Sequence, residues 1–482
     1  MYVLAALILI AVVLTTGLTS RFSLPLIVIA LGVGIVFGSD VTGLIWFDDA
    51  HLANELATAA LVFILFAGGF GTKKANLRLA LVPSMTLATL GVVVTAGVTG
   101  LLVWLVLGFP LPLALLIGTI VSCTDAAAVF SIFRTRSIEK RVAATTEIES
   151  AANDPMAIIA TTLLVALVAQ GGHEGAWWTV GLDFLWKLVG GMGLGLGVGW
   201  LGMRLFRLLH HVDRGYFYVL LVGIILLSFG VAELVHSSGL LATFFAGLVL
   251  GNAKIPFRQG LETFLDALST IANVGLFVLL GLLVFPKEFA TIWPQGVALF
   301  LILTFVARPA AVLVSTLVGG FRWRDRAFLS WAGVRGAVPI VLATYPAAAG
   351  IEGGREIFNL VFFAVLLSVL IQGTTVGRLA DWLGLSLKAK TKPRQAMELV
   401  TFTDSELELC ELVVEATAGT KVRVSDLDLP KGTTITMVNR NEHIIAPRGS
   451  TEVEAGDVLY VLLRSADRDA VVERLAAAFN HS

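Results

Sequence analysis

The sequence predicts an all-α polytopic membrane protein of about thirteen transmembrane helices, followed by a small cytoplasmic α/β domain. Three observations lead there. Apolar residues make up 57% of the 482 residues and charged residues only 14%, against roughly 25% charged in a soluble globular chain. Long apolar runs continue to about residue 385, and from Glu398 they give way to short alternating segments with charges throughout. Lysine and arginine, finally, collect in every second loop between the runs. The net charge of −1 leaves no electrostatic footprint for nucleic acid, so no nucleic-acid partner is expected. Cys123 and Cys410 lie too far apart in sequence to suggest a disulfide framework or a metal site, and Cys123 reads as a small packing residue.

A helix that crosses a bilayer needs roughly 20 apolar residues. Runs of this kind, bounded by charges, glycine or proline, occur at 2–19, 23–38, 53–70, 79–107, 111–133, 142–169, 182–206, 216–235, 239–252, 262–285, 294–318, 326–349 and 356–383. The first lacks the basic start and small-residue cleavage site of a signal peptide, so it is read as a span. Basic residues near span ends stay in the cytoplasm. They gather at Arg21; Lys73, Lys74 and Arg78; Arg134, Arg136, Lys140 and Arg141; Arg204, Arg207 and Arg214; Lys254 and Arg258; and Arg322, Arg324 and Arg326. The intervening loops hold only Lys187, Lys287 and Arg355, and are acidic around Asp40, Asp48, Asp49 and Glu55. This asymmetry places the amino terminus outside and the tail in the cytoplasm. The layout is a membrane domain over 1–385, a basic linker over 386–398 containing Lys388, Lys390, Lys392 and Arg394, and a tail domain over 399–482.

Charged groups inside spans cost roughly 2.5–3.5 kcal/mol or more each and by default mark function. Span five carries Ser122-Cys-Thr-Asp125, span six opens with Glu147-Ile-Glu149-Ser150-Ala-Ala-Asn153-Asp154-Pro155, and spans eleven and twelve carry Arg308-Pro309 and Gly333-Val-Arg335-Gly336-Ala-Val-Pro339. Residues four apart share a helix face, which puts Ser150 with Asp154 and Glu149 with Asn153. Asp154 and Ser150 offer the hard oxygen ligands that suit Na⁺ or K⁺. Glu149 then needs its own countercharge, from Arg308 or Arg335. Pro155 removes a backbone donor and frees a carbonyl nearby. The glycines and proline of span twelve weaken that helix, whereas nothing in span five forces a break at Thr124-Asp125. Matched interruptions in two halves point to the site of an inverted-repeat transporter. Glu147 reads as solvated at the cytoplasmic mouth, Asp266 and Glu233 as interfacial, and the glycines from Gly191 to Gly199 as a face for close helix packing.

At these residues the sequence resembles the monovalent cation:proton antiporter-1 family of bacterial NhaP-type antiporters and animal sodium/proton exchangers. The resemblance rests on Ser122-Cys-Thr-Asp125, Glu149-Ser150-Ala-Ala-Asn153-Asp154-Pro155 and Gly333-Val-Arg335-Gly336, in order. It implies NhaA-like inverted repeats with crossed unwound helices, a homodimer, and residence in the bacterial inner membrane. It implies that Asp154 is the carboxylate that binds cation and proton, with Ser150, Asp125 and the Thr124 carbonyl beside it. Glu149 would pair with Arg308, Asn153 would brace the crossing, and Arg335 would support the site. Two departures stand out: Asp125 is followed by Ala126 where the family often has proline, and no acidic residue precedes Gly68-Gly69. Thr-Asp-Ala-Ala-Ala-Val is closer to the potassium/proton branch and favours K⁺ over Na⁺.

Gly419-Thr-Lys-Val-Arg-Val, Thr434-Ile-Thr-Met-Val-Asn-Arg440 and Gly456-Asp-Val-Leu-Tyr-Val461 resemble the RCK C-terminal (TrkA-C) domain, with a closing helix near 467–479. That resemblance implies dimerisation and a regulatory nucleotide, or equally a passive dimerisation tail; transport itself calls for no cofactor. The expected activity is exchange of K⁺ or Na⁺ for H⁺ by alternating access, and the resemblance implies a one-for-one ratio from Asn153, rather than a second aspartate, beside Asp154. A potassium channel is the alternative, but a channel filter requires a Thr-Val-Gly-Tyr-Gly-type loop, and only Gly69-Phe-Gly71 at the end of span three comes near it. No nucleophile–base pair or metal-ligand cluster points to an enzyme.

Overall fold

The computed structural model describes residues 2–19, 26–125, 137–169, 177–209, 213–317, 320–387, 395–398, 407–414, 421–430, 432–440, 443–464 and 467–480. They form two compact units, Met1–Ser386 and Leu387–Ser482.

The first unit is helical: α1 (Tyr2–Thr19), α2 (Leu26–Phe37), α3 (Ala50–Gly71), α4 (Lys74–Thr86), α5 (Val92–Leu102), α6 (Leu111–Ile120), α7 (Lys140–Ala169), α8 (Trp177–Leu208), α9 (Arg214–Leu234), α10 (Gly239–Gly251), α11 (Arg258–Leu282), α12 (Phe289–Leu301), α13 (Arg308–Ser315), α14 (Trp323–Trp331), α15 (Ala337–Ala348) and α16 (Gly354–Trp382). Among the described residues, eight helices are long and apolar enough to cross a membrane, and five apolar helices of 10–17 residues accompany them. Several helices begin ahead of the expected runs, as α4 does at Lys74 and α11 at Arg258, because a long basic side chain keeps its charge in water while its stem stays helical. Gly69, Phe70 and Gly71 belong to α3 and form no filter loop.

Span four is continuous through π-helical segments at Leu87–Gly91 and Val103–Leu107, the first just after Pro83. Span eleven has its counterpart at Ile302–Ala307, between α12 with its Pro294 and α13. Each of these two segments packs on the other span: Leu87–Gly91 on α13, and Ile302–Ala307 on α5.

Packing sorts the helices into two bundles. One joins α1, α2, α3, α8, α9, α10 and α11; the other joins α4 to α7 with α12 to α16. In the first bundle Gly191, Gly195 and Gly199 of α8 lie against α10, and a Cβ on Gly195 would strike the Ala242 backbone. The glycine face read in the sequence is therefore a contact surface. Between the bundles the main contact is α3 against α15, where Asn54 Nδ2 donates to Thr344 Oγ1 at 3.0 Å and the Thr58 and Tyr345 hydroxyls stand 3.5 Å apart. The basic residues that break the loop-charge pattern all have acidic partners. Lys287 meets Asp40 at 3.5 Å, Lys187 meets Asp183 at 3.7 Å, and Arg355 meets Asp48 at 3.3 Å and Glu288 at 2.9 Å.

The second unit carries β1 (Gln395–Glu398), β2 (Leu407–Val413), β3 (Lys421–Arg423), β4 (Thr434–Arg440), β5 (His443–Ile445), β6 (Glu452–Glu454), β7 (Val458–Arg464) and α17 (Arg468–Asn480). An antiparallel sheet runs in the order β1-β2-β7-β4-β5, and β3 pairs with β6. Alternate residues such as Cys410, Leu412, Leu459 and Val461 face a core shared with Val471 and Leu475 of α17. Residues 395–398, read as the end of the linker, form the sheet's edge strand, because their backbone pairs with β2. Arg440 grips Asp457 with Nε and Nη2 at 2.8 and 2.7 Å, and Asp457 also accepts the Glu454 N–H at 2.8 Å.

Candidate cation-binding site

Two helical interruptions meet in the second bundle. α6 stops at Ile120, and Cys123, Thr124 and Asp125 continue in non-helical backbone. α14 stops at Trp331, and α15 starts again at Ala337 after the Gly333–Gly336 segment. The two extended pieces touch where the Asp125 N–H donates to the Val334 carbonyl at 2.8 Å. The predicted continuation of span five over 126–133 lies outside the described residues.

The glycines of span twelve do more than weaken a helix. A Cβ on Gly336 would collide with the Asp125 carboxylate, and one on Gly333 with the Arg308 guanidinium. Asp125 thus lies at the start of α15, where unpaired N–H groups and the helix dipole favour a negative charge. The break in span five, unmarked in its own sequence, is made by a distant side chain. Arg335 Nη1 donates to the Ser122 and Cys123 carbonyls at 2.7 and 2.5 Å, acceptors that a continuing helix would have used. Arg335 is in turn fixed through its N–H by Ser368 Oγ at 3.0 Å, and Ser368 donates to Gln372 at 2.5 Å. Nothing in the sequence marked Ser368 or Gln372, since single polar residues in an apolar run have many structural uses.

α7 closes the site. The Thr124 hydroxyl lies 3.0 Å from Ser150 Oγ, Asn153 Nδ2 donates to Thr124 Oγ1 at 2.8 Å, and the Thr124 N–H donates to Asn153 Oδ1 at 3.4 Å. Asn153 therefore turns toward the crossing with Ser150. The expected pairing of Asn153 with Glu149 on one face is corrected: three residues also make a helical neighbour, and Thr124 draws Asn153 over. Glu149 points the other way into a two-pronged ion pair with Arg308, whose second prong is 2.9 Å, and the guanidinium also donates to the Leu329 carbonyl. The countercharge left open between Arg308 and Arg335 is Arg308. Thr124 enters the cluster through its hydroxyl and N–H.

Asp154 is half-buried. Its Oδ1 is shielded from solvent and has no hydrogen-bond partner among the described residues. Asp125 and Arg335 act on it through their charges, and the Cys123 thiol hydrogen-bonds to the carboxyl. Cys123, read as packing alone, stands beside the key carboxylate; its place one residue before Thr124 was the available signal. The donor set consists of hydroxyls, amide and carboxylate oxygens, which fits a hard monovalent cation.

The sodium/hydrogen exchanger transmembrane family model matches residues 7–382. The chain belongs to the sodium/hydrogen exchanger family. A TrkA-C domain matches residues 421–476 of this exchanger. The exchanger is 38% identical over 469 residues to the K(+)/H(+) antiporter NhaP2 of Shewanella oneidensis, covering 96% of this chain and 80% of the relative. It is 35% identical over 482 residues to the K(+)/H(+) antiporter NhaP of Alkalimonas amylolytica, covering 99% and 83%. In fold it resembles the sodium proton antiporter MjNhaP1 of Methanocaldococcus jannaschii, with a TM-score of 0.68 at 25% identity, over 78% of this chain and 97% of that one.

Proposed function

We propose that the exchanger swaps a monovalent cation, K⁺ ahead of Na⁺, for H⁺ by alternating access around Asp154. The observation that carries this reading is a carboxylate oxygen shielded from water, without a partner, beside the crossing of two interrupted helices. An unpaired buried charge is costly, so Asp154 is occupied by a proton or by a cation, and the two compete. Ser150, Thr124 and Asp125 complete the oxygen shell. Asn153 and Arg335 hold the crossing open, and the Glu149–Arg308 pair braces α7 against α13. With Asn153 as the neutral neighbour of Asp154, exchange is one for one. The names of the two relatives support K⁺, while the MjNhaP1 likeness keeps Na⁺ in play.

The eight long and five shorter apolar helices support thirteen crossings of a bacterial inner membrane. The charged loops support an external amino terminus and a cytoplasmic tail. The reciprocal packing of the two π-helical segments supports inverted repeats. The TrkA-C match supports a homodimeric exchanger whose tail either binds a regulatory nucleotide or dimerises passively. A pH-gradient dequenching assay in proteoliposomes, titrated separately with K⁺ and Na⁺, tests the core of this. Asp154→Asn abolishes exchange with either ion; surviving activity removes the site assignment. A potential generated by transport across unpolarised vesicles removes the one-for-one ratio.

A further inference from the structure

Helices α3, α7, α8, α9, α10 and α15 all contribute to the wall of a cavity of about 600 Å³. Ile158 belongs to that wall, one helical turn beyond Asp154 on the same face of α7. The cavity therefore approaches the shielded, unpartnered Asp154 oxygen from the end of the bundle that holds Asp40 and Asp48. Its charged lining is Glu55, Lys187, Glu233 and His236. Glu55 stands 3.5 Å from His51 at an exposed helix start, and Lys187 is paired with Asp183. Glu233 differs: it accepts only the Gly239 N–H, at 3.0 Å, and has no ion pair among the described residues.

We propose that this cavity is the outer antechamber of the cation site and that Glu233 is the charge that gathers cations in it. The inference rests on the Asp154 reading and on the orientation argued above. A hydrogen-bond cap on α10 needs only an acceptor oxygen, which glutamine also supplies. A concentrating field needs the negative charge. Glu233→Gln separates the two roles. Because Glu233 gathers protons and metal cations alike, its effect on cation saturation appears where few protons compete and cancels where many do. That pH signature does not arise from a structural cap.

The test is sided saturation kinetics in proteoliposomes of fixed protein orientation, using K⁺ at low ionic strength. At alkaline pH, Glu233→Gln raises the half-saturating K⁺ concentration on the outer side by about three- to tenfold. The inner value and the maximal rate stay unchanged. The outer difference shrinks at acid pH, and also in concentrated choline chloride, which screens the charge. Unchanged outer saturation overturns the inference, as does an equal change on both sides. Asp154→Asn, run in parallel, keeps the questions apart: exchange surviving in that variant removes the site, whereas normal outer saturation in Glu233→Gln removes only the antechamber.

Discussion

Glu149 and Arg308 are both almost fully buried, with side-chain exposures of 1% and 4%. Taking either partner away leaves a charge stranded in the interior, at a cost of about 3–5 kcal/mol, whereas replacing both with well-packed apolar residues is often neutral. Glu149→Ala is therefore expected to lower the melting temperature of the detergent-solubilised exchanger sharply. The double variant Glu149→Leu, Arg308→Met is expected to recover most of the loss. A double variant as unstable as the single one refutes the pairing account. That Glu149 needed a countercharge was readable from helical spacing. Which arginine supplied it was not, because Arg308 and Arg335 lie on different elements whose packing no local pattern encodes. Asn153 shows the same limit: its helical angle suits two faces, and only the position of Thr124 chooses between them.

The interruptions operate at the scale of the element. The start of α15 is written locally, in Gly333, Gly336 and Pro339. The end of α6 is written 212 and 213 residues away, in the Arg335 bonds to Cys123 and Ser122, so no window along span five reveals it. The π-helical segments are equally hidden, since apolar periodicity hardly changes through one extra residue in a turn. Gly336→Ala would force the Asp125 carboxylate aside. Displacements near one ångström at a positioned group have effects of about a hundredfold. The half-saturating cation concentration is thus expected to rise by about tenfold or more in the dequenching assay, with the protein still folded. An unchanged value means that Asp125 takes no part in holding the cation.

At the scale of the molecule, the tail and the membrane unit obey different rules. Burial works against the Asp457 charge, but Arg440 and the Glu454 N–H outweigh it and hold the carboxyl below its usual range. A depressed carboxyl contributes stability that is present above its unfolded value, about 3.9, and lost as pH falls through the folded value. Asp457→Asn is therefore expected to speed hydrogen exchange in β4 and β7 of the full chain at neutral pH. The gap from the unaltered protein closes below about pH 4. A gap that persists in acid points to packing rather than charge. The membrane unit draws its coherence from helix contacts, and the tie between its bundles is thin. Asn54–Thr344 and Thr58–Tyr345 are the only hydrogen bonds joining α3 to α15 among the described residues. At about 0.5–1.5 kcal/mol net apiece, together they bias one arrangement of the bundles over another by a factor of about five to a hundred and fifty. That is enough to give an idle exchanger a preferred side, yet too little to resist thermal motion over the microseconds to milliseconds in which domains shift. That bias rests on one amide and three hydroxyls, and three of the four side chains, Asn54, Thr58 and Tyr345, also line the cavity through which the cation is proposed to arrive.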